Sequence, residues 1–129
     1  MDFIFLLLEN FLKSKFTIKF LSGECPKNYL ASAIDFANEK LHGTLGANIV
    51  IHPATIKKIG REKFESLLGQ LRYGTIAINT WTGLAFLLNA CPWGAFPGAS
   101  LKKPGSGIGT VHNTWMLERT EKTVVQAPW

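Results

Sequence analysis

Leu71-Arg72-Tyr73-Gly74-Thr75-Ile76-Ala77-Ile78-Asn79 passes from helix to strand, and its reading decides the fold. Upstream, Phe64, Leu67, Leu68 and Leu71 recur at spacings of three and four, the signature of one apolar helix face. Gly74 is the expected stop. Thr75–Asn79 is then short, β-branched and apolar, which reads as a buried strand. Further back the same order repeats. Ala47-Asn48-Ile49-Val50-Ile51 is a second β-branched run, closed by His52-Pro53 because proline cannot donate to a ladder. Before it, Leu30, Ala33, Ile34, Ala37 and Leu41 mark a helix whose start suits Pro26 and whose end suits Gly43. Between the two strands, Ile56 and Ile59 give a first turn that Gly60 weakens or breaks. Helix, strand, helix, strand with tight links is half of a parallel α/β sheet. Two strands do not make a stable sheet unaided. Phe16-Thr17-Ile18-Lys19-Phe20-Leu21 is a candidate for a further strand, and Lys122-Thr123-Val124-Val125-Gln126-Ala127 reads as a terminal one.

Between the second strand and the terminal one the character changes. Residues 80–110 hold six glycines, three prolines and two tryptophans, with an apolar stretch from Leu84 to Leu88. Loops beyond about 12–15 residues are usually functional or disordered, and the tryptophans argue against plain disorder. At the other end of the chain, Phe3-Ile4-Phe5-Leu6-Leu7-Leu8 is too short for a membrane span and lacks the basic start of a signal peptide. Its spacing, with Phe5, Leu8, Phe11 or Leu12, and Phe16 near one side, predicts a short amphipathic helix; a peripheral membrane helix is the alternative.

Composition bounds what the chain does. Of 129 residues, 47% are hydrophobic and 18% charged, against about 25% charged in an ordinary domain. A small domain rich in apolar residues and poor in charge needs either a partner that covers the excess or the rest of a larger fold. The net charge of +5 is spread out, and Lys57, Lys58, Arg61 and Lys63 are interleaved with Glu62 and Glu65 as on a solvated helix face. No nucleic-acid module accompanies that charge, so no nucleic-acid role is expected. Cys25 and Cys91 stand far apart without metal-ligand spacing, which argues against both a disulfide framework and a metal site and makes a reducing, cytoplasmic compartment the default. His52 at a strand end and His112 beside Asn113 read as structural.

Five stretches in order resemble the aldehyde dehydrogenase family. Ala33-Ile34-Asp35-Phe36-Ala37-Asn38 followed by Gly43-Thr44-Leu45-Gly46-Ala47 resembles a helix that ends in Ala-Asn and leads through a glycine turn into a strand. Leu71–Asn79 looks like that family's later helix end, glycine and strand closing on asparagine. Pro92-Trp93-Gly94-Ala95-Phe96 and Gly105-Ser106-Gly107-Ile108-Gly109 match the places of a Pro-aromatic-Gly-Gly and a Ser-Gly-x-Gly motif. Glu121-Lys122-Thr123-Val124-Val125 resembles the ending that leads into the family's oligomerisation strand. The resemblance covers residues 25–129 and leaves residues 1–24 unassigned.

It implies an α/β fold: a partial parallel sheet with flanking helices, a long Gly/Pro/Trp-rich loop and a C-terminal oligomerisation-type strand. It implies a family that oxidises aldehydes with NAD(P) through a thiohemiacetal. The family's nucleophilic cysteine, general-base glutamate and nucleotide-binding domain all belong to a portion upstream of the one matched. Glu24 before Cys25-Pro26 has neither the spacing nor the Phe-Gly of the family's ribose-binding motif. No catalytic and no cofactor-binding residue is therefore carried over. Cys91 precedes Pro92 in the late loop and does not occupy the nucleophile's place. Gly105–Gly109 lacks the strand–turn–helix context of a dinucleotide fingerprint and reads as a turn. Trp81, Phe86, Trp93 and Phe96 are expected, by resemblance, to line the substrate tunnel, with ordinary core packing as the alternative. A chain so composed is expected to be inactive alone, to bind no NAD(P) and to be a homo-oligomer, with a dimer the first expectation. The alternative is a separately encoded subunit that completes the active site of a partner aldehyde dehydrogenase chain.

Overall fold

The computed structural model describes residues 4–9, 17–18 and 25–129. The first strand, β1, is Ile4–Glu9, and β2 is Thr17–Ile18. The amphipathic helix expected over this stretch is not what forms. Ile4–Glu9 lies antiparallel along its whole length on the strand Gly46–Ile51, from Ile4 opposite Ile51 to Glu9 opposite Gly46. An unbroken apolar run satisfies a buried strand as well as a helix, and six residues make a poor helix but an ordinary strand. Phe11, Leu12 and Phe16 of that expectation lie outside the described residues. The candidate strand at 16–21 is represented by Thr17–Ile18, antiparallel to β1.

Helix α1, Pro26–Lys40, begins with proline at its first turn as expected, where no intrahelical N–H partner is lost. It ends at Leu41, so Gly43, at φ +100°, turns the chain two residues after the cap rather than at it. Strand β3, Gly46–Ile51, and helix α2, Pro53–Ile59, follow. His52 caps α2, its Nδ1 accepting the Ala54 N–H at 3.1 Å. Gly60, at φ +89°, breaks the helix and restarts it as α3, Arg61–Gln70. A residue with a Cβ pays strain at that φ, so the break belongs to the glycine. Arg61 and Glu65 pair at 2.9 Å on the exposed face of α3, as the interleaved charges suggested.

Strand β4 is Thr75–Ile78, and the expected long loop contains a short helix α4, Thr82–Leu87, and a pair of two-residue strands, β5 at Trp93–Gly94 and β6 at Thr110–Val111. The terminal strand β7 is Thr123–Gln126. The main sheet runs β2-β1-β3-β4-β7. Strands β3, β4 and β7 are parallel, whereas β1 and β2 are antiparallel, so the sheet is mixed rather than purely parallel. The strands that complete the sheet around β3 and β4 come from the same chain.

Because side chains alternate along a strand, the parallel register sorts them by face. Ala47, Ile49, Ile51, Ile76 and Ile78 pack on Leu30, Ile34 and Ala37 of α1 and on Phe64, Leu67 and Leu68 of α3, forming one buried cluster. The opposite face presents Gly46, Asn48, Thr75, Ala77, Thr123 and Val125. Thr82 of α4 lies on Gly46, and the Thr82 N–H donates to Asn48 Oδ1 at 2.9 Å. Among the described residues, no helix is long and apolar enough to cross a membrane.

Candidate functional site

The five stretches that carry the resemblance meet around Thr44. The Thr44 carbonyl accepts from the N–H of Gly74 at 2.9 Å and from that of Phe96 at 3.0 Å. Its own N–H donates to Ser106 Oγ at 2.8 Å. The Gly74 carbonyl accepts from the Thr123 N–H at 2.9 Å, and Thr123 Oγ1 donates to the Pro92 carbonyl at 2.5 Å. Buried backbone groups must find partners, and here groups far apart in sequence supply them for one another.

Glycine is what lets these backbones approach. A Cβ on Gly74 would run into the Gly94 carbonyl oxygen and sit 2.7 Å from the Ala95 carbonyl carbon. A Cβ on Gly94 would collide in turn with the Gly109 carbonyl oxygen. The glycines of three separate motifs are thus stacked backbone on backbone. Beside them is a shallow cleft with a free volume of about 10 Å³, room for about one water, lined by Gly74, Pro92, Gly94, Thr110, Lys122 and Thr123. That is below the roughly 300–1,000 Å³ of a typical small-molecule pocket.

The asparagines of the motifs act as braces. Asn79, at φ +56°, accepts from the Ile51 N–H at 2.8 Å through Oδ1 and donates to the Ile51 carbonyl at 2.9 Å through Nδ2. Asn38, near the end of α1, donates to the Gln70 carbonyl at 2.8 Å and accepts from the Arg72 N–H at 2.9 Å, and Arg72 pairs with Glu39. Asn79 extends the pairing of β3 and β4, and Asn38 ties the end of α1 to the end of α3, each with a side-chain amide that has both a donor and an acceptor.

The four aromatics expected along a substrate tunnel occupy three settings. Phe86 and Trp93 meet edge to face at 5.5 Å, and Phe86 also meets the His112 ring at 4.8 Å. Trp81 precedes α4, 61% exposed, with its ring beside Gly83. Phe96 lies on the other side, its ring 5.1 Å below the Lys122 ammonium. His52 meets Trp129 edge to face at 5.1 Å, besides capping α2. Cys25 is exposed and Cys91 half-buried, both as free thiols, and the Cys91 N–H closes a turn onto the Leu88 carbonyl at 2.8 Å. Among the described residues, no group of three or more His, Cys, Asp or Glu gathers to hold a metal ion.

Two polar residues of this region have no distinguishing sequence signal. Lys122 Nζ donates to the carbonyls of Gly69 at 2.7 Å and Leu71 at 2.9 Å, with its side chain 11% exposed. A cation there satisfies carbonyls that the end of α3 leaves without helical partners and complements the negative end of its dipole. Tyr73 is fully buried with an unpartnered hydroxyl, and burial pushes its phenol up to about 12; burial also raises Tyr29. Thr75 Oγ1 is likewise buried without a partner.

No family model matches the chain, and neither a curated protein nor a solved structure matches it.

Proposed function

We propose that this chain is an aldehyde dehydrogenase-like polypeptide carrying the C-terminal part of that family's catalytic domain, that it is inactive by itself, and that it works or persists as a self-associating protein in the cytoplasm. The observation that supports the reading is the node at Thr44. The residues quoted for the resemblance from sequence order alone (Gly74, Pro92, Gly94, Phe96, Ser106, Gly109 and Thr123) are those whose hydrogen bonds or missing Cβ atoms hold the late loop against the sheet. Their convergence on one place in the fold supports the resemblance.

Inactivity follows from chemistry. Aldehyde oxidation of this type needs a thiolate that attacks the carbonyl, a base that activates water for the thioester, and a dinucleotide that accepts hydride. The resemblance assigns none of these to residues 25–129. A dinucleotide site needs phosphate-facing N–H groups at a helix start after a strand. In this chain α2 begins at Pro53, which has no N–H to offer, directly behind the His52 cap.

The test is NAD(P)H formation by the purified chain with short and long aldehydes, together with calorimetric titration of NAD and NADP. We expect neither turnover nor binding. Turnover abolished by Cys91→Ser, or a low-micromolar dissociation constant, overturns the reading.

A further inference from the structure

Two long stretches of the chain carry no formal charge. Asp, Glu, Lys and Arg are absent from Thr80 to Leu101 and again from Pro104 to Leu117, although the whole chain has a net charge of +5. In the first of them α4 buries Thr82 and Ala85 and leaves Leu84 and Leu87 41% and 69% exposed, three residues apart on the helix. Trp81 and Leu88, at its two caps, are 61% and 44% exposed.

A second apolar element is fastened just past the helix. The Asn89 carbonyl accepts from Thr114 twice, from its N–H at 3.3 Å and its Oγ1 at 3.0 Å, which fastens the turn at 113–117 to the end of α4. Asn113 locks that turn: its Nδ2 donates to the Leu117 carbonyl at 2.8 Å and its Oδ1 accepts the Leu117 N–H at 2.9 Å. The Met116 N–H closes onto the Asn113 carbonyl at 3.0 Å, with Met116 held at φ +48°. At the tip Trp115 is 72% exposed and Met116 84%. A braced turn with left-handed backbone thus holds two large apolar side chains out in water.

We propose that this face, α4 together with the Asn113–Leu117 turn, is where two copies of the chain dock on each other about a two-fold axis. It rests on the self-association in the reading above and names its surface. Three observations choose a second copy as the occupant. Like-charged copies repel, and the stretches that carry α4 and the turn as far as Leu117 contribute no Asp, Glu, Lys or Arg to oppose a second copy. Charged residues are depleted and Trp and Met enriched at interface centres, as they are here. At roughly 200 Å² for a whole side chain of this size, the six exposed residues present on the order of 750 Å², close to the roughly 800 Å² each partner contributes to a stable interface. The locked turn also means that docking orders little that is not already ordered.

The experiment is sedimentation velocity on the full chain over a wide concentration range, beside three variants. The wild type is expected at twice the 14.3 kDa protomer mass. Trp115→Ser with Met116→Ser should raise the dimer dissociation constant about thirtyfold or more, as loss of a hot spot does. Asn113→Ala keeps the apolar tip but frees the turn, and should raise it about tenfold. Val124→Lys, on the exposed edge strand β7, should leave it unchanged. Far-UV circular dichroism and urea midpoints matching wild type exclude unfolding, and all substituted side chains except Asn113 are well exposed. A wild type that stays monomeric overturns both self-association and this face. A dimer untouched by the tip variants but broken by Val124→Lys preserves self-association and overturns this face. A monomer that binds neutral phosphatidylcholine vesicles through Trp115 also overturns it.

Discussion

Gly74→Ala is the sharpest perturbation the fold offers. The added methyl has nowhere to go, because it meets backbone rather than the end of a movable side chain: the Gly94 carbonyl on one side and the Ala95 carbonyl carbon at 2.7 Å. Either β4 or the Trp93–Ala95 segment must retreat. Overpacking of this kind costs about 1–3 kcal/mol. The retreat also strains the Gly74 N–H bond to Thr44 and the Thr123 N–H bond to Gly74, each worth about 1 kcal/mol. The expected loss is therefore about 3–5 kcal/mol, a large part of the roughly 5–15 kcal/mol that holds a domain together. Gly69→Ala is the internal control, since Gly69 sits exposed in α3 with nothing within 4 Å of a new Cβ. It should stabilise the chain by about 0.5–1 kcal/mol. Urea denaturation followed by tryptophan fluorescence reads both. With a slope of roughly 1–3 kcal/mol per molar, the Gly74→Ala midpoint should fall by about 2 M while that of Gly69→Ala rises. A Gly74→Ala protein within about 1 kcal/mol of wild type would refute the claim that the glycine stack closes the loop onto the sheet.

Two further substitutions test individual groups. Tyr73 is neutral in the fold and its phenol is pushed up to about 12, against an ordinary value of 10.0, so the unfolded chain ionises first as pH rises. Stability should be intact below pH 10 and decline from there to about 12, by about 3 kcal/mol in all. Tyr73→Phe should remove that alkaline decline and cost little or nothing at neutral pH, because it deletes an unsatisfied buried hydroxyl; urea midpoints across the pH range check both. Lys122→Met should destabilise by about 1.5–3 kcal/mol, since it leaves the Gly69 and Leu71 carbonyls without their charged donor. A midpoint unchanged from wild type would show that water serves those carbonyls equally well.

Local chemistry was legible and distant chemistry was not. Pro26 at a helix start, Pro53 at the close of a strand, Gly60 at the α2–α3 break and the β-branched runs of β3 and β4 act on their immediate neighbours, so the sequence order displays them. Ile4–Glu9 is expected to be helical and forms a strand, because an apolar run has no period that distinguishes the two states. Helix α4 was hidden in a glycine-rich stretch, since it spans six residues and has no side-chain cap. At the candidate site, the motifs could be quoted but not their convergence. Thr44 bonds to Ser106 across 62 positions, and Lys122 reaches Gly69 across 53. The fate of the four aromatics is equally closed to sequence reasoning, because which rings meet Phe86 depends on where Trp93 and His112 arrive.

The central claim is that residues 25–129 are built as the C-terminal part of an aldehyde dehydrogenase catalytic domain. The most direct measurement is the NAD(P)-dependent oxidation rate of a chimera in which an active aldehyde dehydrogenase, with its own nucleophile, base and nucleotide domain, has its matching C-terminal part replaced by these residues. The account predicts a folded chimera that turns over within about a hundredfold of its parent, the loss that an ångström of misplacement brings. A chimera that folds with its parent's circular dichroism and reactive thiolate yet oxidises no aldehyde would contradict it.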